Sequence, residues 1–310
     1  MTAAPFLLAL ADGPPGGHAI WLQASDGVRL RAGFWPGGRK GTVLLLPGRT
    51  EYIEKYGLAA GDLARRGYAT LTLDFRGQGL ADRPLPDAML GHVAAFTDYQ
   101  RDMQALLALA RQMDVPQPLF LLSHSMGGSI ALRALMDGFP VKAAAFSAPM
   151  WGIKLPFLTR PFAPAIAWLG AALGKSQSYA PTTGPQTYVL ANPFAGNVLT
   201  ADADMWAYMQ SHVQADSRLS LGGPSLHWLR MALADCAALA RLPSPNLPCY
   251  TALGTQERVV ATAPIHTRMA RWPGAGFDII AGAEHEVMME IPTTRAQFFD
   301  AACALFDAHP

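Results

Sequence analysis

The stretch Leu121-Leu122-Ser123-His124-Ser125-Met126-Gly127-Gly128 constrains the fold of this chain more than any other. The apolar run from Pro118 to Leu122 has the character of a buried strand, and a helix-like run from Gly127 to Met136 follows at once. Ser125 then sits on a very sharp strand-to-helix turn. Such a turn lifts its hydroxyl out of the sheet and aims the backbone N–H of Met126 at the same spot. A nucleophile needs that exposure, and a developing oxyanion needs that donor. Small residues at Ser123, Gly127 and Gly128 let strand and helix pass closely. The general pattern is G-x-S-x-G, from which Ser123 departs at the first position. An ordinary Gly-rich helix start with a serine near its N-cap is the competing reading.

Apolar runs and helical spacings alternate on both sides of this elbow. Ala19 to Gln23 and Val28 to Trp35, joined by Ser25-Asp26-Gly27, read as an antiparallel hairpin. Strands are expected at Thr42 to Leu46, Ala69 to Phe75, Val141 to Ser147, Cys249 to Gly254 and Phe277 to Ala281. Helices are expected at Lys55 to Arg66, Phe96 to Met113 and Ala296 to Phe306. This rhythm predicts an α/β chain with a mostly parallel, doubly wound sheet. It stops between Met150 and Leu242, a stretch rich in Pro, Trp and Met with helical patches at Phe162 to Leu173, Asp202 to Gln214 and Leu226 to Leu239. The expected organisation is a core over 1–149, a helical cap over 150–242, and a second core segment over 243–310 that re-enters through Pro243-Ser244-Pro245.

A serine nucleophile requires a base and an acid to orient it, and in an open sheet both lie at strand C-terminal ends. Of the eight histidines, only His285 directly follows a late core strand. The acid must lie between Ser125 and His285 in the Ser, Asp/Glu, His order. Glu257, just past the strand ending at Gly254, fits that place, with Asp278 as the second candidate. A further oxyanion donor belongs on the loop after an early strand. Leu46-Pro47-Gly48-Arg49-Thr50-Glu51 is such a loop and would offer the N–H of Arg49. It reads equally well as a plain Pro-Gly turn, and the Arg49 side chain as a surface cation or a partner of Glu51 or Glu54.

Composition sets the remaining bounds. The 310 residues are 51% hydrophobic and only 15% charged, with a formal net charge of +1. That supports a large core and gives no basic surface for nucleic acid. Cys236, Cys249 and Cys303 lack metal or CxxC spacing and read as buried thiols in a reducing compartment, hence a cytoplasmic location. The start of the chain makes a poor signal peptide, and no uninterrupted membrane-length apolar run occurs. The segment from Met150 to Leu169 is unusually apolar. Trp151 and Phe157 within it are candidates for an acyl pocket, and the whole stretch for peripheral contact with a membrane. Packing of the cap on the sheet would use the same residue types.

Together, Pro47-Gly48-Arg49-Thr50-Glu51, Asp74-Phe75-Arg76-Gly77-Gln78-Gly79, Ser123-His124-Ser125-Met126-Gly127-Gly128, Gly254-Thr255-Gln256-Glu257-Arg258 and Gly282-Ala283-Glu284-His285 resemble the α/β-hydrolase superfamily. Within it the chain is similar to the serine lysophospholipase and monoacylglycerol lipase group. The resemblance spans about Trp21 to Phe306. It implies Ser125 as nucleophile, Glu257 as acid, His285 as base, and the N–H groups of Arg49 and Met126 as oxyanion donors. It also implies acyl transfer to water on a small-molecule or lipid ester, with no metal and no organic cofactor. Pro47, Ser123 and Glu257 depart from the group's usual residues without removing a required chemical group. The alternatives are another triad acyl-transfer, thioester or C–C hydrolase, and a non-catalytic ligand-binding relative.

Overall fold

The computed structural model describes residues 2–154 and 174–310. The expected helical patch from Phe162 to Leu173 and the candidate Phe157 lie outside these residues. The strands are β1 (Thr2–Ala3), β2 (His18–Gln23), β3 (Arg29–Trp35), β4 (Thr42–Leu46), β5 (Ala69–Asp74), β6 (Leu119–His124), β7 (Ala144–Ser147), β8 (Cys249–Gly254) and β9 (Gly276–Ile280). They form one sheet in the order β1-β2-β3-β5-β4-β6-β7-β8-β9. The first three pair antiparallel, with β3 running against β5, and the rest of the sheet is parallel.

Both faces of the parallel region are covered, which is why its strands are almost wholly apolar. In β4, Val43 and Leu45 face one core while Leu44 and Leu46 face the other. Helices α1 (Gly57–Arg65) and α7 (Pro292–Asp307) cover the first face with Leu63, Phe298, Phe299 and Phe306. Helices α2 (Tyr99–Gln112), α3 (Met126–Met136) and α6 (Thr262–Met269) cover the second with Met103, Leu106, Ile130 and Ile265. All three cysteines are buried and free.

Between β7 and β8 the described residues hold two longer helices, α4 (Ala203–Ala215) and α5 (Leu226–Ala240). Each starts at a side-chain cap. Asp202 accepts from the N–H groups of Asp204 and Met205, and Ser225 accepts from that of Trp228. Loop residues of this segment bond back to the core. Gly91 N–H donates to Gly223 O at 3.0 Å, Ser225 N–H to Gly91 O at 2.8 Å and Gly222 N–H to Met89 O at 2.8 Å. Trp151 is 4% exposed and packs between Phe146 and Trp272, its indole N–H donating to Gly128 O on α3. Its place is therefore the junction of segment and core, where its ring fills space against the sheet.

Candidate active site

Ser125 joins β6 to α3 at φ +48° and ψ −116°, a conformation that L-residues rarely adopt. The surroundings impose it. Ser125 N–H donates to Ser147 O on β7 at 3.1 Å, while Ser125 O accepts from Gly128 N–H at 2.9 Å and Met150 N–H at 2.8 Å. The elbow leaves no room for a side chain at two positions. A Cβ on Gly127 would lie 2.5 Å from Leu46 O, and one on Gly128 would lie 2.5 Å from the Cβ of Pro149. Ser123 fits at the first elbow position. It is fully buried, and among the described residues its hydroxyl has no hydrogen-bond partner.

The three residues singled out from chain order meet here. His285 Nε2 lies 2.9 Å from Ser125 Oγ, and His285 Nδ1 lies 2.6 Å from Glu257 Oε2. The other Glu257 oxygen accepts from the N–H groups of Val259 at 2.5 Å and Val260 at 2.9 Å. Those bonds fold the turn after β8 around the longer Glu side chain. Burial alone would raise the Glu257 pKa, but its bond to His285 and the two N–H donors hold it below the ordinary value. Asp278 is occupied elsewhere, accepting from Tyr250 Oη–H at 2.9 Å.

The loop carrying His285 is held from the segment between β7 and β8. His285 N–H donates to Val198 O at 3.4 Å and Glu286 N–H to Leu199 O at 2.8 Å. Glu290 accepts from the N–H groups of Glu284 and Ala201, and Thr200 Oγ1–H donates to Met289 O at 2.6 Å.

The loop after β4 lies across from the elbow. Gln78 Nε2 donates to Gly48 O at 2.8 Å and to Glu51 O at 3.1 Å. A trans peptide points its N–H away from its own C=O. Gln78 therefore sets the direction of the Arg49 N–H, as Gly128 and Met150 set that of Met126. Among the described residues neither N–H donates to a protein acceptor. Gly48 N–H is taken by Glu51, which also accepts from Tyr56 Oη–H and from Lys55 Nζ at 2.8 Å. The Arg49 side chain pairs with neither candidate carboxylate. Glu51 is held by Lys55, and Glu54 by Arg31 at 2.7 Å.

A buried polar cluster lies behind the imidazole. Glu51, His124 and Glu286 offer ligand atoms within 4.8 Å of one another. The Lys55 ammonium bridges the two carboxylates, at 2.8 Å from Glu51 and 2.5 Å from Glu286, so a fixed cation already takes the position a metal would need. The rings of His124 and His285 are 4.7 Å apart. Burial pushes the His124 pKa down to about 3 although Glu51 opposes it, so this ring stays neutral near pH 7. None of these four roles had a local sequence signal. His124 alternates away from Ser125 along β6, and only the three-dimensional fold brings its ring to His285.

Residues 37–292 match the family described as serine aminopeptidase, S33. The chain is 33% identical over 280 residues to lysophospholipase L2 of Escherichia coli (strain K12), covering 86% of this chain and 80% of that protein. A soluble variant of monoglyceride lipase from Saccharomyces cerevisiae, solved with a substrate analogue, superposes with a TM-score of 0.72 at 20% identity, over 93% of this chain and 94% of that one. A thermostable carboxyl esterase from Bacillus coagulans, solved with glycerol, superposes with a TM-score of 0.74 at 15% identity, over 96% and 99%. These likenesses establish the α/β-hydrolase fold.

Proposed function

Because the chain belongs to the serine aminopeptidase S33 family of α/β-hydrolases, we propose that it is a serine ester hydrolase acting on lipid-like esters of the lysophospholipid or monoacylglycerol type. One observation carries the assignment of roles: the continuous contact from Glu257 through both ring nitrogens of His285 to a serine held on a strained elbow. Ser125 Oγ attacks the ester carbonyl while His285 Nε2 takes its proton. Glu257 fixes the tautomer and stabilises the imidazolium. The N–H groups of Arg49 and Met126 receive the developing oxyanion. His285 then passes its proton to the departing alcohol. Water repeats the cycle on the acyl-enzyme and releases the fatty acid.

The lipid character of the substrate comes from the named relatives, a lysophospholipase and a monoglyceride lipase. The apolar composition of 150–242 supports a lid in that segment, closing over an acyl chain and shielding the acyl-enzyme from bulk water. Residues 198–201 already brace the histidine loop, which fits a lid rooted at the site. Among the described residues no helix is long and apolar enough to cross a membrane. Cytoplasmic location with peripheral contact to lipid through the apolar segment is the matching arrangement.

The test is a chain-length series of monoacylglycerols, lysophospholipids and p-nitrophenyl esters, run with and without an acceptor alcohol. Hydrolysis that depends on Ser125 and favours acyl chains over acetate supports the reading. A folded protein that cleaves no ester and takes no fluorophosphonate label would overturn it.

A further inference from the structure

Among the described residues the sheltered guanidinium groups of Arg49, Arg83 and Arg268 have no carboxylate partner. Two of them have backbone carbonyls instead. Arg83 donates to the carbonyls of Gly77, Gly79, Ala88, Arg218 and Ser220. Arg268 donates to Leu239 O and Ser244 Oγ.

Arg49 differs. Among the described residues it makes one hydrogen bond, from Nη2 to Gly222 O at 2.6 Å, and its Nε is buried with no partner. Its head lies 5.3 Å from the Trp228 ring centroid and against the Cα of Gly91, where any side chain would collide with Nη2. Burial pushes its pKa down to about 10. Residues 155–173 contain no Asp or Glu, so they supply no counter-ion. A half-buried guanidinium with a buried, unpaired Nε is costly to keep, and an incoming anion would offset that cost.

The position of this cation gives the anion its meaning. Arg49 belongs to the loop whose backbone N–H faces Ser125 in the mechanism above, so its guanidinium is at most one side-chain length from the N–H that would meet the scissile ester. In a lysophospholipid the phosphodiester stands one three-carbon glycerol unit from that ester. A monoacylglycerol has only a hydroxyl there.

We infer that the Arg49 side chain receives the phosphodiester of a lysophospholipid head group and selects such substrates over neutral monoacylglycerols. This rests on the ester-hydrolase reading above. The guanidinium suits the task because its planar N–H groups can donate in pairs to phosphate oxygens, which an ammonium cannot reproduce. The Gly222 contact then does double duty, holding the head in place while free N–H groups remain for the ligand.

The experiment measures kcat/KM for palmitoyl-lysophosphatidylcholine and monopalmitoylglycerol in the same mixed micelles, for wild type, Arg49→Gln and Arg49→Lys. Any loss transmitted through the loop backbone affects both substrates and cancels in their ratio. The expected result is a fall of at least about tenfold in the lysophospholipid-to-monoacylglycerol ratio for Arg49→Gln, the size of a lost charged hydrogen bond. Arg49→Lys should recover part of it. An unchanged ratio, with both activities falling together, would overturn the inference and leave Arg49 as a clamp on Gly222.

A second arm needs no variant. Glycerophosphocholine should inhibit monopalmitoylglycerol hydrolysis by the wild type more strongly than either glycerol or inorganic phosphate. Equal inhibition by glycerophosphocholine and inorganic phosphate would assign the site to free phosphate, and no inhibition by either would remove the anion site altogether. Both outcomes overturn the inference. Failure of the underlying reading looks different: neither substrate is cleaved and Ser125 takes no phosphonate label.

Discussion

Gln78 Nε2 donates to Gly48 O at 2.8 Å, and through that bond a side chain from the turn after β5 orients the peptide that presents the Arg49 N–H. The donor proposed for the oxyanion is therefore only as well aimed as this carbonyl is held. Gln78→Leu should lower kcat by about tenfold to a thousandfold, up to the cost of losing one oxyanion donor, with little change in KM. Steady-state kinetics on a p-nitrophenyl ester checks it. A rise in KM at unchanged kcat would show that Gln78 shapes substrate binding instead.

Ser125→Ala should keep the fold and abolish covalent labelling by a fluorophosphonate. The strained elbow is set by Ser147, Gly128 and Met150, not by the serine hydroxyl. Intact-mass spectrometry reads the adduct directly, and labelling at the wild-type rate would place the nucleophile elsewhere.

Glu257→Gln should lower kcat by about a hundredfold to ten-thousandfold, since the imidazolium loses its counter-charge and its tautomer is no longer fixed. Glu257→Asp should fall between this variant and the wild type. It keeps the charge, but the N–H groups of Val259 and Val260 are positioned for the longer arm. Pre-steady-state acylation kinetics separates the two. Full activity of Glu257→Gln would exclude this carboxylate as the orienting acid.

Trp151→Phe should reduce stability and depress short-chain and long-chain esters alike. The indole N–H bonds to Gly128 O and the ring stacks beside Trp272, so the change loosens the junction under α3. The ratio of laurate to acetate hydrolysis measures this. Loss confined to long chains would return Trp151 to the acyl pocket.

Two buried histidines should cost the fold stability on mild acidification. Burial drives the pKa of His124 down to about 3 and that of His212 down to about 4, both from an ordinary 6.5. Both rings are therefore neutral in the folded protein where the unfolded chain would charge them. The stabilising difference is complete above pH 6.5 and is lost as pH falls toward the folded values. The pH dependence of urea midpoints reads this loss, against which the buried Asp102 carboxyl, raised to about 6, works in the opposite sense. His212→Gln should flatten the decline by about 1.4 kcal/mol per pH unit, one proton's share. An unchanged slope would mean His212 titrates normally in the fold.

Local pattern made much of the scaffold legible. Strands β4 and β8 fall where the apolar runs place them, because burial on both faces writes itself as unbroken hydrophobicity. The expected strand from Val141 begins instead at Ala144, since the preceding residues bond as a connector, with Lys142 N–H on Leu119 O. β1 escaped notice because two exposed residues carry no periodicity. The residues now in contact at the elbow, Ser125, His285 and Glu257, were legible from chain order and strand ends. The cluster of Glu51, Lys55, His124 and Glu286 was not. Its members come from separate stretches of the chain and meet only after the sheet is built. The Arg49 head lacks its expected carboxylate partner for the same reason: Lys55 and Arg31, which take the nearby carboxylates, reach them through the tertiary structure.

The N–H groups of His285 and Glu286 end on the carbonyls of Val198 and Leu199, in the segment between β7 and β8. For protein engineering, this makes the segment a poor cassette. A chimera that imports another hydrolase's insert to change specificity would also discard half the mounting of the imidazole. Grafts should therefore leave residues 197–201 with the host.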